Sequence, residues 1–211
     1  MPKKYSQSGV SHILMIVAVV VVIGIIIAFV SGAAKFNFSA SKDDGSGSSA
    51  MDKGKKEKMK TYTSETYGFS IEYPSTWTVK EGASEETVVS FLSQRVGPED
   101  QFTENVGVSV SDISQLTGFT ASDLIDLWLQ QNESDPLFDS FLVGERGNLL
   151  ISGFDAAKAD YTASVKGINL KGRVVITQKD NMAFIFAFMA EESAFDDYIG
   201  EVETIIASTS L

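Results

Sequence analysis

The chain has 211 residues, no cysteine, a single histidine (His12) and a formal net charge of −11. Without cysteine there are no disulfides, thiolate nucleophiles or cysteine metal sites, so any folded part is held by its own apolar core. The charge is also unevenly shared: residues 1–60 carry nine lysines against four acids, whereas residues 61–211 carry eight basic against twenty-four acidic side chains, a balance of −16. A surface of that sign repels the phosphate backbone and excludes nucleic acid as a partner of the folded part.

Residues 1–12 read as a short cytoplasmic N-terminus and residues 13–30 (ILMIVAVVVVIGIIIAFV) as a transmembrane helix. These eighteen residues hold no charged or polar side chain, and as a helix they span about 27 Å, close to the ~30 Å hydrocarbon core of a bilayer. A cleavable signal peptide has a shorter apolar region, so the segment is expected to stay as a single-pass anchor dissolved in membrane lipid. Lys3, Lys4 and the terminal amine lie on its short side, while Lys35 and Lys42 beyond it are offset by Asp43 and Asp44. That bias places the N-terminus in the cytoplasm and the C-terminal domain outside the cell membrane. The stretch QSGVSHIL at residues 7–14 is similar to the start of a type IV prepilin, but Leu14 stands where pilins carry an assembly glutamate.

Residues 31–60 form a Ser-, Gly- and Lys-rich linker with the cluster Lys53, Lys55, Lys56, Lys58 and Lys60. A flexible chain of about 25 residues reaches roughly 25 to 30 Å, enough to hold a domain beside the membrane without touching it. Residues 61–211 are then one extracytoplasmic domain, whose 151 residues suffice to bury a self-sufficient core.

Within that domain Phe69, Ile71 and Tyr73 alternate before Pro74, and Val106, Val108 and Val110 alternate again. Both runs predict strands, as do residues 88–92, 141–143 and 149–151. Residues 173–178 and 183–188 predict a hairpin joined through Asp180 and Asn181, which tolerate the positive φ of a tight turn. Two helices interrupt the strands. Thr120 with Asp123 forms a capping-box pattern ahead of Leu124, Leu127 and Trp128; Ser193 with Asp196 does the same ahead of Phe195, Tyr198, Ile199, Val202, Ile205 and Ile206. The order implies an α+β layered domain.

Tyr67-Gly68-Phe69-Ser70-Ile71-Glu72-Tyr73-Pro74 followed by Trp77, then Ser152-Gly153-Phe154-Asp155-Ala156-Ala157, the long hairpin, and Phe195-Asp196-Asp197-Tyr198 leading into Val202-Glu203 and Ile205-Ile206 together resemble the PsbP family. The resemblance covers nearly all of residues 61–211. It implies a central antiparallel β-sheet flanked by helices on both faces, and roles that are not enzymatic. Photosynthetic members are extrinsic subunits of photosystem II that help retain calcium and chloride. Their metal ligands have no matching positions here.

Catalytic parts are scarce. His12 sits at the membrane boundary, so a Ser-His-Asp triad, a Cys-His pair, histidine-ligated zinc and haem all lack their residues in the domain. Carboxylates remain, and paired acids are the basis of an alternative reading as an enzyme acting on envelope polymers; a pilin-like surface subunit is the other alternative. Glu99, Asp100, Asp135 and Asp139 are candidate ligands for a hard cation, though without EF-hand spacing. The glycines at 144, 147, 167 and 172 fit neither the dinucleotide fingerprint nor the P-loop. Asn37-Phe38-Ser39 and Asn132-Glu133-Ser134 match the glycosylation pattern. Phe184, Phe186 and Phe188, like Trp77 and Trp128, are expected in the core. The expected protein is therefore a membrane-anchored, non-enzymatic binding or assembly factor without a cofactor, acting on a protein partner.

Overall fold

The computed structural model describes residues 58–83, 87–95 and 102–211. The expected membrane span at 13–30, most of the linker, His12, Asn37, Glu99 and Asp100 lie outside them. Among the described residues no helix is long and apolar enough to cross a membrane.

Strands β1 (Met59–Ser64) and β2 (Phe69–Pro74) form a two-stranded antiparallel hairpin. A seven-stranded sheet contains β3 (Thr78–Glu81), β4 (Thr87–Leu92), β5 (Asn105–Asp112), β6 (Ser140–Ile151), β7 (Phe154–Val165), β8 (Ile168–Lys179) and β9 (Met182–Glu191), in the order β3-β4-β5-β9-β8-β7-β6. Every neighbouring pair in it is antiparallel. Helix α1 (Ala121–Glu133) lies on one face; helix α2 (Phe195–Ala207) and the β1–β2 hairpin cover the other.

Strand β9 explains the layering. Because successive side chains point to opposite faces, Ala183, Ile185, Ala187 and Met189 enter the core under α1, while Phe184, Phe186, Phe188 and Ala190 enter the core under α2 and the hairpin. A strand buried on both faces reads as a continuous apolar run, MAFIFAFMAE. Burying each phenylalanine stabilises the fold by about 2 to 3 kcal/mol relative to leaving it exposed. On the α1 face Leu124, Ile125, Trp128 and Leu129 meet Tyr161, Val174 and Ile176. On the other face Val202, Ile205 and Ile206 of α2 meet the phenylalanines and Val175.

The hairpin through Asp180 and Asn181 forms as expected, with φ of 50° and 63°. Two further tight turns repeat its chemistry at Ser152-Gly153 and Lys166-Gly167, again with positive φ at both positions. The capping box at Thr120 is present: its hydroxyl accepts from the Asp123 N–H (3.2 Å), and the Asp123 carboxylate accepts from the Thr120 N–H (2.9 Å).

Three expectations need correction. The runs at 141–143 and 149–151 belong to one twelve-residue strand, β6, because a bulge absorbs one residue of the Gly144-Glu145-Arg146 break between the pairs Val143↔Tyr161 and Arg146↔Ala159. Helix α2 has no capping box: its N-cap is Ala194, in a helical conformation, reached through a turn in which the Ala194 N–H donates to the Glu191 carbonyl (2.9 Å). Ordered structure is also present ahead of the expected domain start at residue 61, since Met59 and Lys60 already pair with Pro74 and Tyr73.

Candidate functional site

The β1–β2 hairpin leans on the sheet through aromatic contacts. Tyr62 meets Phe69 and Phe91 with ring centroids 6.0 Å away in each case, and Tyr73 meets Phe91 at 5.0 Å. The hairpin thereby overhangs β3 to β5 and leaves a groove of about 540 Å³ beside them. Tyr62, Ser64, Tyr67, Glu81, Thr87 and Ser111 line it. Gly68, at φ 66°, closes the turn after Tyr67, and its N–H donates to the Ser64 carbonyl (2.9 Å). That turn holds Tyr67 out at 40% exposure, one of five large hydrophobic side chains exposed among the described residues.

The groove contains an accessible side chain whose titration is perturbed. Burial of the Tyr62 ring, and then its hydrogen bond to Glu81 with the charge of that carboxylate, push its phenol up to about 12. At neutral pH the site therefore offers a neutral phenol, a carboxylate, several hydroxyls and the flat face of Tyr67. Groups of this kind can hydrogen-bond a polar ligand, and the Tyr67 ring can stack against one.

A second hollow of about 450 Å³ opens beside the β8–β9 turn, between Ile113, Leu116, Phe119, Phe154 and Lys179. Polar and apolar side chains share its lining, and the Lys179 ammonium lies 5.8 Å from the Phe154 ring centre. It gathers no carboxylate besides Asp180.

The sequence-derived candidates scatter. Asp135 accepts from the Leu137 N–H (2.9 Å) and Asp139 from the Gly167 N–H (3.3 Å), so both acids order local backbone. Among the described residues no three acids or histidines gather as a metal site would require. Asn132 is 3% exposed and donates its amide to the Trp128 carbonyl (2.7 Å), which closes that glycosylation motif to modification in the folded domain. Trp77 anchors α2, donating to the Glu201 carboxylate (3.1 Å) and meeting Tyr198 edge-on. Trp128 packs on Tyr161 at 5.4 Å. Phe184, Phe186 and Phe188 are all buried. The groove's Glu81 and Ser111 had no signal in the sequence, because they meet only when the hairpin folds over a distant edge of the sheet; Tyr67 stood in view as the first residue of the YGFSIEYP run.

An antiparallel sheet with one helix on one face and a helix plus a hairpin on the other is the architecture of a PsbP-type domain. The chain belongs to the PsbP-like protein family, whose model matches residues 13–211. No curated protein matches the chain. Among solved structures it is similar to cyanobacterial PsbP (CyanoP) from Synechocystis, at 18% identity and a TM-score of 0.54 over 78% of this chain and 98% of that one. It is also similar to LpqN, involved in cell envelope biogenesis of Mycobacterium tuberculosis, at 11% identity and a TM-score of 0.53 over 75% of this chain and 86% of the other. Both likenesses concern the fold.

Proposed function

We propose that this protein is a membrane-tethered PsbP-like domain facing away from the cytoplasm, where it acts as a non-enzymatic binding or assembly factor. The observation that carries the reading is the groove under the hairpin: it presents Tyr67, the Tyr62 phenol and Glu81 for recognition, on a domain that holds neither histidine nor cysteine. The apolar run at residues 13–30 supports the tether, and the lysines ahead of it support the orientation. The involvement of LpqN in cell envelope biogenesis agrees with an envelope setting for this fold.

Orientation is tested on a chain that has no cysteine of its own. Ser193→Cys, exposed in the turn between β9 and α2 and away from strand β6, is labelled by a membrane-impermeant maleimide in intact cells; labelling only after lysis overturns the topology. A photo-crosslinker in place of Tyr67 traps a discrete adduct in membranes, and Glu81→Gln reduces it. Turnover of an envelope polymer that disappears in Glu81→Gln overturns the non-enzymatic reading.

A further inference from the structure

Strand β6 ends the sheet, and among the described residues no strand lies on its outer side. Its twelve residues present roughly 40 Å of backbone N–H and C=O groups. Free edges of this kind are normally kept short or charged, as at the opposite end, where β3 has four residues. β6 instead exposes Leu142 and Leu150 at 68% and 65%, with Val143 beside them. Three of the five large apolar side chains exposed among the described residues lie on this one strand.

The bulge gives β6 an unusual symmetry. Before it, Phe141 and Val143 oppose Ala163 and Tyr161 on the α1 face, so Leu142 points to the α2 face. After it, Arg146 and Asn148 oppose Ala159 and Ala157 on the α1 face, Leu150 follows them, and Leu149 points to the α2 face. Laid antiparallel on a second β6 with all twelve residues overlapping, Leu142 faces Leu149, Phe141 faces Leu150 and Val143 faces Asn148, each pair on one face of the joined sheet. A strand without the extra residue has its partners on opposite faces in this register, because side chains alternate. At the centre Gly144 meets Gly147 and Glu145 meets Arg146 of the other copy, so opposite charges pair twice about the two-fold axis.

From this self-complementarity we propose that the protein forms a homodimer by antiparallel pairing of β6 with β6 of a second copy, joining two seven-stranded sheets into one. The occupant is a second copy because the apolar faces match and the central charges cancel only in that pairing. Arg146 already contacts Asp126 of its own α1 and is half-exposed, which leaves its outer side open to the incoming Glu145. The ligand groove lies at the other end of the sheet, so the dimer does not depend on how that groove is used.

The absence of native cysteine makes the test direct. Full-length Leu142→Cys and Leu149→Cys chains are mixed in detergent and oxidised. The mixture gives a disulfide-linked dimer, while Leu142→Cys alone does not, because in this register its two copies stand about seven residues, roughly 24 Å, apart. Equal cross-linking of Leu142→Cys with itself, or none in the mixture, overturns the proposal. Sedimentation of the full chain supplies the second readout: Leu142→Lys removes the dimer while the circular dichroism spectrum is unchanged, since the side chain is exposed in the monomer. A dimer that survives both Leu142→Lys and Leu150→Lys, or a different protein found paired on β6, also overturns it.

Discussion

Two residues on neighbouring strands carry more of this fold than their types suggest. Gly172 and Tyr161 face each other across β7 and β8, and the Tyr161 ring lies over the glycine, its hydroxyl donating to the Phe188 carbonyl (3.3 Å). A Cβ at 172 meets the Tyr161 Cζ at 2.3 Å, its hydroxyl oxygen at 2.4 Å and the Phe188 carbonyl oxygen at 2.6 Å, so both the buried ring and the neighbouring backbone must give way. Gly172→Ala is expected to destabilise the domain by about 3 kcal/mol, read as a lower urea midpoint with an unchanged slope; a change below ~0.5 kcal/mol shows that the ring swings away freely. Tyr62 makes a different prediction. Its folded pKa, about 12, lies above the unfolded value of 10, so the neutral phenol is favoured in the fold. Its stabilisation is complete below pH 10 and is lost as pH rises from there through about 12. The buried Tyr161 phenol is raised as well, by burial and then by the charge of Asp160, and loses its contribution in the same direction. Tyr62→Phe therefore shows a shallower fall in stability above pH 10 than the parent, without abolishing it. Identical alkaline unfolding curves for the two proteins refute the raised titration of Tyr62.

Between elements, a polar link centred on Arg173 ties β8 to β7 and the sheet to α2. Arg173 on β8 grips Asp160 on β7 through two hydrogen bonds, Nε to Oδ1 at 2.5 Å and Nη2 to Oδ2 at 2.8 Å, and also reaches Glu203 on α2. With its side chain 11% exposed, removing the guanidinium leaves Asp160 largely buried without its cation. Arg173→Ala is expected to cost about 3 kcal/mol, and Asp160→Asn with Arg173→Gln together less than that single change, as chemical denaturation of the three variants would reveal. This triad was not legible in the sequence, because its members come from three elements whose register only the folded sheet fixes. What was legible follows the strength of local signals. The Thr120 capping box, the β8–β9 turn and the α2 stripe rest on side-chain chemistry within a few residues and came out as expected. Strand β7 gave no signal since its inward positions are mostly alanines, Ala157, Ala159 and Ala163, whose burial depends on large partners elsewhere. The Ser193-Asp196 pattern misled because the chain reaches α2 through a tight turn from β9 that already satisfies the Ala194 N–H. The groove was hidden for the same reason as the triad, with only Tyr67 advertised by its motif.

For the molecule as a whole, two apolar cores share a single sheet, and β9 supplies alternate residues to both. Loss of one core exposes the back of the strand that holds the other, which favours a single cooperative unfolding transition. Against that cohesion stands the charge of residues 61–211, eight basic against twenty-four acidic side chains. Most of these acids lie at the surface, and their mutual repulsion is relieved when the chain expands. Salt separates the two contributions, because the screening length shrinks from about 30 Å at 0.01 M to about 8 Å at 0.15 M, shorter than most distances between surface acids, while contacts such as Arg173 with Asp160 are far less screened. Raising sodium chloride over that range is expected to lift the thermal midpoint by about 2 to 4 °C, the shift that corresponds to roughly 1 kcal/mol in a domain of this size. A midpoint that falls instead means that exposed ion pairs such as Arg146 with Asp126 and Lys171 with Asp196 outweigh the net repulsion, and the acidity would then be a stabilising pattern on the surface.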